Sequence, residues 1–283
     1  MKKYYFNKIL LFLFFILNCS FVKPNTMQIT QPILKFSING GAPPNTAVSI
    51  HISKNRQVIV FVENGWPILE NTSEVGVYKC MLSREETQQL YKNIENVNAV
   101  EGFYGEKLPG SLRYHLTLFD TTKSKKIQWG HFAKIPKELQ NLSKSLQKLI
   151  KNSLQFKHQT ITASFNITKN NATISLHNSG KVPITLLVPK EEILKKRMLL
   201  VSQISREEYL LDVPRIYGSA SPFDYQFFKK KRTIKPTETI TFNSSIQTEK
   251  TEKYFAIIEA QWETIEFINK RTFPLLLVAA TQN

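Results

Sequence analysis

The chain has 283 residues, 42% of them hydrophobic, and carries 38 Lys and Arg against 22 Asp and Glu, a formal net charge of +16. That apolar share is enough for a buried core, which excludes a wholly disordered chain. Two cysteines exclude a disulfide scaffold, and the five histidines lack the spacing of zinc motifs.

Lys2, Lys3 and Lys8 precede an unbroken apolar run over residues 9–17. A helix that crosses a bilayer needs about 20 apolar residues. The run is shorter, so residues 1–18 are expected to be an export signal peptide rather than an ordinary anchor. Its end, Ile16-Leu17-Asn18-Cys19, resembles the bacterial lipobox. The resemblance implies an exported lipoprotein of the cell membrane or outer membrane, lipidated on Cys19, with residues 19–32 as a tether. Asn18 stands where most lipoboxes have a small residue, so cleavage beyond Cys19 stays open, giving a periplasmic or secreted protein. On either path Cys80 is the one thiol left to the folded part. It lies on the apolar face of its strand, where a cysteine acts as a small hydrophobe.

Residues 33–157 read as an α+β domain. A first strand over 33–38 leads through a loop at 40–45 to strands at 48–52 and 58–62, joined as a hairpin by Lys54-Asn55-Arg56 and ended by Asn64-Gly65-Trp66-Pro67. Over 76–82 the period of two puts Tyr78, Cys80 and Leu82 on one face. Ser83-Arg84-Glu85-Glu86 is a capping box that should start a helix, whose apolar face is Leu90, Tyr91, Ile94 and Val97. After a glycine-rich loop over 101–110, Leu112, Tyr114, Leu116 and Leu118 share a strand face, and 126–129 is the returning strand of a hairpin. Pro136 suits the first turn of a second helix, with Leu139, Leu142, Leu146, Leu149 and Ile150 as its stripe. Two helices with one apolar face each need a sheet to cover, expected to be antiparallel with five or six strands.

Residues 160–283 read mostly as short strands separated by turns, at 165–167, 172–176, 182–188, 239–242, 254–258 and 275–279. Ile174-Ser175-Leu176-His177-Asn178-Ser179-Gly180-Lys181-Val182 resembles the opening strand pair of bacterial immunoglobulin-like domains, with their phrase Asn-x-Gly between strands. Ile234-Lys235-Pro236-Thr237-Glu238-Thr239-Ile240 is similar to a later phrase of that family, with Thr237 where glycine is common. The resemblance implies an all-β immunoglobulin-like sandwich and fixes no activity. Residues 189–232 stay open, since Ser205 suits a helical turn and Tyr209-Leu210-Leu211 a strand.

Without residues 1–18, 35 basic face 22 acidic residues, a net of +13, spread as +8 up to residue 159 and +5 beyond it. Export and the lack of a recognition motif speak against nucleic acid. The expected partners are a membrane, through the lipid anchor, and an anionic envelope or host polymer or protein. The densest cationic run, Lys229, Lys230, Lys231 and Arg232, follows Phe223, Tyr225 and Phe227. It reads either as contacts to an anionic partner or as a solvated loop beside a core face. His51 and His115 lie opposite the apolar faces of their strands, which predicts exposure.

Catalytic patterns are weak. Ser145-Leu146-Gln147-Lys148 matches the Ser-x-x-Lys pattern of penicillin-recognising enzymes, yet its partner motifs do not occur, and the helix is rich in both residues. Glu101 and Glu106 flank Gly102-Phe103-Tyr104-Gly105 and form a carboxylate pair with acid–base potential. The reading is therefore a non-catalytic envelope lipoprotein that binds or scaffolds and needs no cofactor. The alternatives are a secreted enzyme with its site at the 101–109 loop and a protease-inhibitor or adhesin-like module.

Overall fold

A computed structural model describes residues 32–40, 46–64, 74–97, 99–105, 111–120, 123–168, 171–188, 199–202, 230–245, 254–263 and 272–280. The export segment with Cys19, and most of residues 189–229, lie outside them. In chain order the elements are β1 (Pro32–Gly40), β2 (Thr46–Ser53), β3 (Gln57–Asn64), β4 (Glu74–Met81), α1 (Arg84–Asn96), β5 (Gly102–Tyr104), β6 (Leu112–Phe119), β7 (Ser124–Gly130) and α2 (Lys137–Ser153). There follow β8 (Lys157–Thr168), β9 (Asn171–Asn178), β10 (Ile184–Val188), β11 (Leu199–Ser202), β12 (Lys230–Ile234), β13 (Thr239–Ser245), β14 (Tyr254–Glu263) and β15 (Thr272–Ala280). The protein is mostly sheet, with two helices among the described residues.

Ten strands form one sheet in the order β13-β9-β8-β4-β3-β2-β1-β6-β7-β5. β11-β14-β10-β12 form a second, with β15 added beside β14. Alternation sorts the large sheet into two faces. On one, Leu34, Phe36, Ile38, Ile50, Val60, Leu116 and Ile127 are almost wholly buried and pack with Leu139, Leu142, Leu146 and Ile150 of α2. Truncating one of these, such as Leu142→Ala, would cost about 2–5 kcal/mol. On the other face β15 runs next to β3, β4 and β8. There Ile59, Phe61, Val75, Val77 and Ile161 are buried outside the cluster that packs with the helices.

The helix signals hold in detail. The Ser83 hydroxyl accepts from Glu86 N at 3.1 Å and the Glu86 carboxylate accepts from Ser83 N at 2.8 Å. Pro136 is the N-cap of α2, one place earlier than a first-turn residue, and its carbonyl accepts from Gln140 N at 3.0 Å.

Several expectations need correction. The sheet is mixed rather than antiparallel throughout, because β5 pairs parallel with β7. β5 is a strand at the start of the expected 101–110 loop, and seven strands precede α2. Tyr91 is 40% exposed, while Leu90 and Val97 are buried instead, and α1 packs beside α2. Lys230, Lys231 and Arg232 lie in β12, paired with Val188, Leu187 and Leu186, and not in a loop. Apart from these corrections, β8 is hydrogen-bonded to β4 on one side and to β9 on the other.

Candidate functional site

The β2-β1-β6-β7-β5 end of the large sheet turns a polar face away from the helices. Its rows follow from register. One row reads His51, Lys35, Thr117, Lys126 across four strands, and the next Ser49, Ser37, His115, Gln128, Phe103 across five. A third reads Ala47, Asn39, Arg113, Gly130. No acidic residue occupies any of these positions. Lys126 and Gln128 are exposed, while Arg113, His115 and Lys35 are half-buried. Two interstrand steps put Lys35 and Lys126 about 10 Å apart, and four residues along β6 put Arg113 about 13 Å from Thr117 between them.

The two imidazoles report the local field. Burial, and then the cation of Lys35 across the strand pair, lower the His51 pKa to about 4. Burial and then Arg113 lower that of His115 as well. Both histidines are half-buried rather than exposed. Burial is the larger cause for both, so each imidazole is kept neutral mainly by desolvation, and the neighbouring cation adds to it.

At the end of the same strands, on the helix side, aromatic rings form a column. Phe36 and Trp129 lie 6.0 Å apart, and Trp129 and Tyr114 stack at 5.4 Å with planes 4° apart. His131 continues the stack 6.1 Å from Tyr114, and its Nδ1 lies 2.9 Å from the Tyr114 hydroxyl. Burial raises the Tyr114 pKa. When this phenol donates to Nδ1, the imidazole hydrogen is left on Nε2. Phe132 meets His131 edge-on at 4.8 Å and 78° and is 82% exposed. These last two residues, with Gly105, Ser111, Gly130, Ala133 and Lys134, line an open cavity of about 290 Å³. Gly130 is also the register partner of Arg113, so the cavity adjoins the basic face.

The residues singled out from sequence are distributed as follows. Cys19, Glu106 and Lys229 lie outside the described residues. Lys231 and Arg232 are exposed on β12, the terminal strand of the second sheet among the described residues. Charge on such a strand also discourages edge-to-edge pairing. Glu101 faces Lys125 at 3.8 Å and does not line the cavity. The Ser145 hydroxyl donates to Asn141 O, a local helical bond, and Lys148 is exposed. Cys80 is half-buried on the helix face, its sulfur 3.3 Å from the Ser153 hydroxyl, and burial raises its pKa. No group of three metal-ligating side chains occurs among the described residues. Arg113, Lys126, His131, Phe132 and Lys134 are additions from the structure. Their signal in sequence is the polar half of the β6 alternation and the Gly130-His131-Phe132 strand end. Comparison of the chain with known protein families, curated proteins and solved structures finds no match.

Proposed function

We propose that this chain is an exported cell-envelope lipoprotein, tethered through Cys19, that binds an anionic polymer rather than catalysing a reaction. The observation that carries the reading is the face of β1, β6 and β7 whose own rows hold no acidic residue among the described residues, with Lys35 and Lys126 about 10 Å apart and Arg113 roughly 14 Å from each. An extended polyanion laid across the strands meets Lys35 and Lys126 in one row and reaches Arg113 where it turns along β6, while Gln128, Asn39 and Ser37 supply hydrogen bonds between them. Lys231 and Arg232 on β12 add a second basic stretch. The strands beyond residue 160, with Asn178 and Thr237 at the phrases similar to bacterial immunoglobulin-like domains, are read as a sandwich of that kind that presents or supports the binding part. The secreted-enzyme reading rests on the cavity beside Gly105, but Glu101, one of its two proposed carboxylates, is paired with Lys125 instead.

The test is binding of the mature chain to an acidic polysaccharide at rising salt, with neutral polysaccharide as the control. Affinity should fall with ionic strength. Arg113→Gln with Lys126→Gln should weaken it on the order of tenfold. Bound polyanion should also raise the His115 pKa in an NMR titration, because an added anion opposes Arg113. Salt-independent binding, or binding indifferent to the double variant, would remove the basic face from the function.

A further inference from the structure

We propose that the cavity at the end of β6 and β7 is a subsite for one acidic sugar ring, so that the anionic ligand is a polysaccharide. The inference rests on the polyanion reading for the rest of the ligand, but the subsite is defined by different atoms. A sugar ring has an apolar C–H face and needs an aromatic surface held in a fixed orientation. Phe132 provides that surface: it is 82% exposed, which is exceptional for phenylalanine, and it stands edge-on to His131 at 78°. His131 is in turn held by the Tyr114 hydroxyl and stacked on a column rooted in buried Trp129. The ring against which Phe132 rests is therefore ordered before a ligand arrives, which lowers the ordering cost of binding.

The floor is small by necessity. A Cβ on Gly105, whose φ is +85°, would come within 2.7 Å of Ala133 Cβ. Gly130 completes the floor. At about 290 Å³ the cavity is at the lower limit of ligand pockets, roughly 300 Å³, which suits a single ring better than an extended chain. Lys134 at the rim supplies the charge for a carboxylate on that ring. The Arg113–Gly130 register places the next sugar toward the basic face. Polyphosphate and lipid head groups satisfy the cations and have no ring face for Phe132, so they lack half of this recognition.

The test compares polyglucuronate with polyphosphate on the full mature chain, and glucuronate with glucose and acetate as single units read by saturation-transfer NMR. Phe132→Ala should lower polyglucuronate affinity about three- to tenfold and leave polyphosphate affinity unchanged. Magnetisation should transfer to the glucuronate ring protons in the unaltered chain and be lost in Phe132→Ala. Because Phe132 is exposed, its truncation leaves the core in place, and unchanged far-ultraviolet dichroism checks this. If acetate displaces glucuronate as well as glucuronate itself does, or if Phe132→Ala leaves both measurements unchanged, the subsite is overturned. Should polyphosphate and polyglucuronate both bind with dependence on Arg113 and Lys126 while Phe132→Ala has no effect, the subsite alone has failed. Should neither polymer bind, the polyanion reading has failed, and the glucuronate monomer arm still decides the subsite.

Discussion

Glu74 on β4 and Lys157 on β8 lie 83 residues apart in sequence and form an ion pair across adjacent strands of the large sheet. The Glu74 carboxylate also accepts from the Tyr78 hydroxyl at 3.0 Å, from Ser179 Oγ at 3.2 Å and from Thr162 Oγ1 at 3.3 Å. With its side chain 18% exposed, it is a half-buried charge whose cost is offset by four donors from three parts of the chain. Replacing it with alanine leaves those donors without their acceptor. Glu74→Ala should lower unfolding stability by about 2 kcal/mol in urea titrations. A midpoint equal to that of the unaltered chain would reduce the cluster to a surface ion pair.

Tyr78 gives that cluster a pH signature. Burial, then the charge of Glu74 and their hydrogen bond, raise its pKa. A raised folded value means the contribution is intact below the unfolded pKa of about 10 and is lost as pH climbs above it. Stability should therefore fall on the alkaline side, and the tyrosinate absorbance of Tyr78 should appear only with unfolding. In Glu74→Gln the onset of that absorbance should move to lower pH.

His51 acts at the other end of the scale. Its folded pKa is lowered from 6.5 to about 4, so the unfolded chain binds a proton first. Its contribution is complete above pH 6.5, declines as pH falls toward 4 and is gone below that. The loss should be on the order of 3 kcal/mol. His51→Gln should flatten the stability profile in this window relative to the unaltered chain. Parallel profiles would show that burial of His51 does not hold in solution.

Thr237 is strained. Its φ of 65° is in the left-handed region, where a β-branched residue is rare. The backbone is held there because Thr237 N donates to Asn178 O at 2.9 Å and Asn178 N donates to Glu238 O at 3.0 Å. Glycine reaches this conformation without the Cβ clash, at the cost of more unfolded-state entropy. Thr237→Gly should raise stability by up to about 1 kcal/mol. A lower thermal midpoint for that variant would mean that the threonine side chain contributes more than its strain costs.

The capping box offers a local measurement. Ser83→Ala removes the acceptor for Glu86 N and should cost about 1 kcal/mol. Amide exchange in the first turn of α1 should quicken before that of β4. If exchange in that turn is unaltered, packing of Leu90 alone sets the start of the helix.

Short-range chemistry was legible in the chain alone. Ser83 and Glu86, three residues apart, specify a helix start because both partners of each bond are local. The alternation of Leu112, Tyr114, Leu116 and Leu118, and the stripe of Leu139, Leu142, Leu146 and Ile150, likewise mark buried faces. Asn178 shows where that legibility stops. Its side-chain amide donates to Val182 O at 3.0 Å, four residues on, and to Ile234 O at 2.9 Å, 56 residues on. The turn is written in the sequence; the distant acceptor is not.

The candidate site belongs to the second kind. Lys35, Arg113 and Lys126 come from three strands, and only the pairing of β1 with β6 and of β6 with β7 puts them on one face. A one-residue slip in either register would send a cation into the core, so tertiary packing sets their neighbours. The strand pairing near residue 160 is of the same kind. Composition changes there, but hydrogen bonding between β4 and β8 is a long-range choice, made by the strand edge that β4 leaves open. Local periodicity determined which residues face inward, and the order of strands alone decided which of the outward residues stand together.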